Sequence, residues 1–278
     1  MTHRNCLHML GNQTTIQMMS FVVETAEGKL IVIDGGMPGD AQHLLDTLKK
    51  LSGREIPHVD AWFLTHNHLD HTGALVTLLK EQADAFTVGA YYYNFPSDQF
   101  LTKYEPGTVK EFAAFREVQD RLAGKIETIT QGDVYEFGGA KFDVLYTPDP
   151  AFTENVVNNS SSVLRMKLGG KTVLFLGDLG IEAGEKLLRL HGEGIQSDYV
   201  QMAHHGQNGV TRAVYEAAAP SACLWCAPEW LWNNDAGKGY NTHSWQTVIV
   251  RGWMEEMGVK EHYVIKDGDH AIELNQGR

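Results

Sequence analysis

Short apolar runs alternate with helix-period stripes along the chain. Residues 16–24 and 29–34 are strand-like runs separated by Ala26-Glu27-Gly28, which predicts a hairpin. Asp34-Gly35-Gly36 breaks the second run, and Leu44, Leu45, Leu48 and Leu51 then recur at helical spacing through residues 38–51. A third apolar run, 59–64, leads into a segment whose Leu75, Val76, Leu78 and Leu79 predict a helix. Farther on, 86–93 is a strand-like run ending in an aromatic cluster and 95–107 is rich in turn residues. Residues 109–122 are helix-compatible, with Phe112, Phe115, Val118 and Leu122 on one side.

Strands are expected at 126–129, 134–137 and 141–147, so the middle of the chain either folds over a cleft or supplies core and a connecting helix. Residues 171–177 form a short apolar strand that delivers Asp178, followed by a helix over 180–190. Further strands are expected at 199–203 and 221–227. Gly239-Tyr240-Asn241-Thr242-His243-Ser244 opens a helix carrying Val248, Val250, Trp253 and Met257, and closing strands surround Asp267-Gly268-Asp269. Strands alternating with helices make this an α/β protein. At 278 residues, with no Pro- or Ser-rich linker, residues 1–278 are expected to form one domain.

The chemistry concentrates after the third apolar run, in Thr65-His66-Asn67-His68-Leu69-Asp70-His71-Thr72-Gly73, which holds four candidate metal ligands within six residues. Chain leaving a buried strand and turning into a helix can aim several side chains at one point above a sheet edge. Imidazole and carboxylate together suit zinc, manganese or iron. A histidine-rich surface loop would bind metal only adventitiously. Ligand-type residues at later strand ends, Asp178 and His204-His205, argue instead for a built site. His43, His58, His262 and His270 read as surface residues.

The HxHxDH pattern resembles the metallo-β-lactamase-fold superfamily, which implies an αββα sandwich of two mixed β-sheets flanked by helices. In that resemblance His66 and His68 serve one metal, and Asp70 and His71 the second. Leu174-Phe175-Leu176-Gly177-Asp178 matches the strand whose aspartate bridges both ions, and Met202-Ala203-His204-His205-Gly206 matches a strand-end histidine motif. Leu30-Ile31-Val32-Ile33-Asp34-Gly35-Gly36 resembles the early strand and turn. His204, the first histidine past its strand, is the expected terminal ligand of the second metal, with His205 as the alternative. Whichever histidine is left over would contact substrate or orient the ligands.

The chain departs from the lactamases where many members carry a histidine after the corresponding strand. It reads Thr147-Pro148-Asp149-Pro150 and then Asn158-Asn159-Ser160-Ser161-Ser162-Val163-Leu164, which resembles the hydrolase domain of DNA-internalisation competence proteins. Asn158 or Asn159 would then stand in for the third histidine, directly or through water, and face substrate. An amide oxygen is the weaker ligand for such metals, so a loose first site is expected. His243 matches the histidine of a Gly-His-Pro segment in those relatives, with Ser244 in place of proline. It is assigned to the substrate's anionic group, the bland alternative being a helix cap or surface residue.

The resemblance implies a hydrolase with two divalent transition-metal ions, zinc first, manganese or iron otherwise. Such ions lower the pKa of a bound water from 15.7 towards about 7, supplying hydroxide near neutral pH, with Asp70 orienting it or taking its proton. The competence-like segments favour phosphodiester cleavage. Hydrolysis of a lactam, lactone or thioester is the alternative, and a non-catalytic metal-dependent sensor the third reading. A redox di-iron protein is disfavoured, because that branch typically has glutamate where this chain has His68.

Net charge sharpens the substrate class. At -12 the chain lacks the basic balance of a broad nucleic-acid-binding surface, so a small anionic or phosphodiester substrate is expected. Two bound cations would make a cleft locally positive whatever the global sum. Three cysteines make no disulfide framework, and Cys223 and Cys226, three apart in a strand, point to opposite faces. No apolar run spans a bilayer and no signal-like segment opens the sequence, so the expectation is cytoplasmic with no membrane partner.

Overall fold

The computed structural model describes residues 3–122 and 125–275. Its first part contains β1 (Cys6–Met9), β2 (Ser20–Glu24), β3 (Leu30–Asp34), α1 (Ala41–Ser52), β4 (His58–Phe63), α2 (Leu69–Glu81), β5 (Thr87–Tyr93), α3 (Asp98–Tyr104), α4 (Val109–Gln119) and β6 (Ile126–Thr128). The remainder runs through β7 (Val134–Phe137), β8 (Ala140–Tyr146), α5 (Val156–Asn159), β9 (Val163–Leu168), β10 (Lys171–Phe175), α6 (Ile181–His191) and β11 (Tyr199–Gln201). It ends with α7 (Arg212–Ala218), β12 (Ala222–Trp225), α8 (Glu229–Trp232), α9 (Thr247–Glu256), β13 (Glu261–Val264) and β14 (His270–Glu273).

The strands form two seven-stranded sheets, ordered β14-β1-β2-β3-β4-β5-β6 and β13-β12-β11-β10-β9-β8-β7. Each is half antiparallel and half parallel. The first changes at β3, which pairs antiparallel with β2 and parallel with β4. The second changes at β10, antiparallel to β9 and parallel to β11. The six parallel pairs among the described residues need crossovers. α1, α2, α6 and α7 supply four of them, with α3 and α4 joining β5 to β6 and α8 and α9 joining β12 to β13, giving the αββα sandwich. The last strand, β14, returns to the first sheet beside β1 and ties the end of the described chain to its beginning.

The inner faces meet through aromatic side chains. Phe63 of β4 stacks on Phe142 of β8 at 4.9 Å between ring centroids, and Phe21 of β2 meets the edge of Phe175 of β10 at 5.3 Å. All four rings are fully buried, each worth roughly 1.5–3 kcal/mol in apolar burial, and they fix the separation of the sheets whose ends carry the site. α2 lies close against the turn before α1. A Cβ at Gly73 would come within 2.5 Å of Pro38 Cδ, so only glycine lets the helix that follows the histidine loop settle there.

Three elements differ from their sequence expectations. The run at 16–24 is a strand only from Ser20, and residues 10–19 form an irregular segment. Met19 N donates to Asp70 O at 3.0 Å, so this segment is tied to the histidine loop. The turn-rich stretch at 95–107 contains α3, capped by Ser97, whose Oγ accepts from Phe100 N. Residues 239–246 form a loop, because α9 begins only at Thr247. The middle of the chain divides its strands between the two sheets and leaves α3 and α4 at the rim. There Glu111 Oε2 accepts from Leu69 N at 3.0 Å and Glu105 Oε2 from Val157 N at 2.9 Å.

Candidate metal centre

The carboxyl ends of β3, β4, β10 and β11 converge between the sheets, and the loops leaving them carry the titratable residues. Two groups of possible ligands result, Asp70 with His71, Asp178 and His205, and His66 with His68 and Asp178. Within each, one donor atom per residue lies within 4.8 Å of the others, and Asp178 belongs to both. In the first group His71 Nε2 is 3.2 Å from Asp178 Oδ1, and His205 Nε2 is 3.3 Å from Asp178 Oδ2 and 3.1 Å from Asp70 Oδ2. In the second, His66 Nε2 is 3.1 Å from His68 Nδ1 and 3.8 Å from Asp178 Oδ2.

These residues fit metal ions. His71 Nε2, His205 Nε2 and Asp178 Oδ1 are buried and close, yet none has a partner in hydrogen-bonding geometry. Leaving three such atoms unsatisfied is costly. Two donors about 2.0–2.1 Å from one ion at a tetrahedral angle lie roughly 3.3–3.4 Å apart, which is the spacing found here. Imidazole and carboxylate also match zinc, manganese or iron.

The outer hydrogen bonds aim each imidazole. Asp34, at the end of β3 with φ of 57°, is wholly buried. Its Oδ2 accepts from His71 Nδ1 at 2.7 Å and from Thr65 Oγ1 at 2.8 Å, while its Oδ1 accepts from Thr65 N. Thr65 Oγ1, its own proton committed to Asp34, is left to accept from His66 Nδ1 at 3.1 Å. One carboxylate therefore sets the tautomer in both ligand groups, leaving both Nε2 atoms facing inward. His205 Nδ1 donates to Cys226 O at 3.0 Å and His204 Nδ1 to Asn208 O at 3.3 Å, with the same consequence. Asp34→Asn is expected to lower metal affinity by about 10–100-fold, read by competition with a chromophoric chelator. An unchanged affinity would reduce Asp34 to a turn residue.

Burial alone would lower the pKa of His71 and of His205, but carboxylates outweigh it. Asp178 and Asp34 hold His71 well above the usual histidine value, and Asp178 with Asp70 pushes His205 up to about 9. Burial would likewise raise Asp178, but His205, His71 and His204 keep it well below the carboxylate range. His66, by contrast, is driven well down by burial and then by the neighbouring His71. The carboxylates that raise His71 and His205 make protons and a metal ion competitors for the same imidazole nitrogens.

The structure redistributes several expected roles. His205, expected at the substrate and held as the alternative to His204 as ligand, is the histidine beside Asp70, His71 and Asp178. His204, expected there, has its Nε2 3.9 Å from Asp178 Oδ2 and lies outside both groups. The cause is local backbone. His204 and His205 both take left-handed φ, 51° and 57°, and the turn carries the second imidazole inward. Gly206 continues it at 83°, where a Cβ would lie 2.4 Å from the Trp225 ring.

The two ligand groups are built of histidine and carboxylate, while the Oδ1 atoms of Asn158 and Asn159 are buried without a hydrogen-bond partner and only their amide nitrogens are engaged. Asn158 Nδ2 donates to Asn155 Oδ1, and Asn159 Nδ2 to Glu154 O and Glu182 Oε2. A Cβ at Gly180 would lie 2.5 Å from Asn159 Oδ1, so that amide faces the start of α6. The segment acts through its serines, for Ser161 Oγ accepts from Asp178 N at 3.0 Å and Ser162 N donates to Thr65 O at 2.9 Å. His243 is exposed in the loop before α9, its ring stacked on Trp245 at 3.5 Å. Asp34 and Thr65 are the site residues that sequence reasoning passed over. The available signal was an aspartate ending a wholly apolar strand.

Two mixed sheets with a shared-carboxylate pair of ligand groups between them define a metal-binding αββα protein. The model of the Metallo-beta-lactamase superfamily matches residues 15–221, and the chain belongs to that family. It is similar to ComE operon protein 3 of Bacillus subtilis, 32% identical over 164 residues, and to competence protein ComA of Neisseria gonorrhoeae, 28% identical over 147 residues. These matches cover 58% and 52% of this chain but 19% of each relative, so the chain spans about a fifth of the length of these relatives. Among solved structures it resembles CmlA, a diiron β-hydroxylase from Streptomyces venezuelae, with TM-score 0.60, 15% identity and coverage of 98% of this chain and 54% of that one. It also resembles the metallo-beta-lactamase fold protein YhfI from Bacillus subtilis, with TM-score 0.57, 10% identity and coverage of 96% and 99%. At these identities the structural likenesses establish the fold alone. Among the described residues no helix is long and apolar enough to cross a membrane.

Proposed function

We propose that the protein is a dinuclear metal-dependent hydrolase of small phosphodiesters, acting as one domain over residues 1–278. The observation that carries this reading is the sharing of Asp178 between two ligand groups, because a carboxylate shared in that way would hold two ions at a fixed separation. Two divalent ions held there would activate water near neutral pH and neutralise charge on both the attacking and the leaving oxygen of an in-line displacement. Zinc is the first choice and manganese or iron the others, from the donor set.

The chain's own residues supply the rest. Asp70 is the one carboxylate of the cluster with appreciable side-chain exposure, 13% against 2% for Asp178, so it can meet both the ligands and the cleft. That position suits it to orient the attacking water and accept its proton. Asp34 holds His71 directly and His66 through Thr65, so neither imidazole must reorient during turnover. At the rim, Trp245 lies between His243 and Trp230, and Trp230 Nε1 donates to Thr15 O at 2.6 Å. Thr15 belongs to the 10–19 segment that Met19 ties to Asp70, and this run of contacts supports the reading that His243 serves the leaving group. The net charge of -12 favours a nucleotide or short oligonucleotide over long duplex. The cysteines are free and buried, as suits a reducing compartment such as the cytoplasm.

The test is a substrate ranking. A chromogenic phosphodiester is expected to turn over with added manganese or zinc, while a chromogenic cephalosporin and a thioester are not. The reverse order would transfer the site to lactam or thioester hydrolysis.

A further inference from the structure

The His66–His68 group has two imidazoles and shares its carboxylate, and the segment before β9 brings no third imidazole to it. Next to it stands an imidazole that neither group uses. His204 Nε2 is 3.9 Å from Asp178 Oδ2, the same oxygen that His66 Nε2 approaches at 3.8 Å. Its Nδ1 donates to Asn208 O, so the Nε2 lone pair is the one turned inward. Its backbone is fixed as well, His204 N donating to Gly177 O at 3.0 Å, one residue before Asp178.

The backbone at this point is strained for a purpose. A left-handed conformation disfavours a side chain with a Cβ by roughly 1–2 kcal/mol, and here two histidines in succession adopt it. Turning the chain to deliver His205 to Asp70 and Asp178 accounts for one imidazole. It does not account for a histidine at 204, where glycine or asparagine would make the same turn without that cost.

Resting on the two-ion reading above, we infer that consecutive histidines serve different ions, His205 the one held by Asp70 and His71, and His204 the one held by His66 and His68. The third imidazole of the first site thus comes from the loop after β11 instead of the segment before β9. Both imidazoles approach Asp178 Oδ2, His205 at 3.3 Å and His204 at 3.9 Å, and the paired left-handed residues hold their rings apart, 6.1 Å between centroids.

His204→Gly is the decisive variant, because glycine keeps the turn and removes only the imidazole. Zinc titration in the presence of a competing chelator, with melting of the ion-free protein as the folding control, is expected to give three results. The unmutated chain takes up two equivalents. His204→Gly melts at the same or a higher temperature without metal, and its weaker equivalent loosens by tenfold or more while the tighter is unchanged. His205→Gly weakens the other equivalent. X-ray absorption of the cobalt-loaded chain should show the average imidazole count per ion fall in both variants. Two equivalents of unaltered affinity in His204→Gly, with only turnover reduced, would overturn the assignment and make His204 a substrate contact. Failure of the unmutated chain to take up two equivalents would overturn the dinuclear reading itself, and this inference with it.

Discussion

Asp178→Ala is expected to cost the protein both ions. The carboxylate belongs to both ligand groups, and His71, His205, His66 and His204 all lie within 4 Å of its oxygens. Removing it leaves the imidazoles facing an empty volume with no fixed negative charge. The loss should exceed the roughly 10–100-fold in affinity that an outer hydrogen-bond partner is worth, and it should fall on both sites at once. Elemental analysis after gel filtration should therefore find well under one equivalent, against two for the unmutated chain, and phosphodiester turnover should be lost. Retention of both ions would remove Asp178 from the bridging position. His71 has a second partner in Asp34 at 2.7 Å, so its imidazole should stay in place in the variant, and the fold is expected to survive.

The same residue shows how far the sequence could be read. Asp178 was legible because it ends an apolar strand and because the histidine loop upstream demanded a partner. The helix after His68 was legible for the similar reason that Leu75, Val76, Leu78 and Leu79 mark one face. Asp34 also ends an apolar strand, but its work is done through Thr65 and His71 across the parallel β3–β4 pair. Nothing local in Asp34-Gly35-Gly36 separates a carboxylate holding two imidazoles from one ending a strand. The choice between His204 and His205 was illegible for a different reason. It depends on two positive φ angles in succession, which His-His-Gly neither requires nor forbids. Asn158 and Asn159 are expected at the site on resemblance alone. Their amide nitrogens are taken by Asn155, Glu154 and Glu182, in a turn that periodicity does not reveal, and their amide oxygens are left buried without a partner. α3 was hidden by its length, since seven residues between Pro96 and Pro106 read as turns until the Ser97 cap is recognised.

His243→Ala is expected to separate chemistry from metal binding. The residue lies outside both ligand groups, on a loop whose backbone is fixed by His243 N donating to Asn234 O at 3.1 Å, so its loss should leave ion content and melting unchanged. Its ring rests on Trp245, Trp245 on Trp230, and Trp230 on the 10–19 segment that reaches the backbone of Asp70. In the proposed reaction this imidazole would act as general acid towards the departing oxygen, a contribution of about 10²–10⁴ in rate when the leaving group is a poor one. The variant should accordingly lose most of kcat on an alkyl or nucleoside diester. On a nitrophenyl diester, whose leaving oxygen needs no proton, it should lose little. The stack also predicts that Trp245→Ala reproduces part of the effect, because an imidazole without its aromatic support samples more orientations. If His243→Ala hydrolyses both diesters at the unmutated rate, the proton comes from elsewhere, and the rim stack closes the loop without serving the reaction.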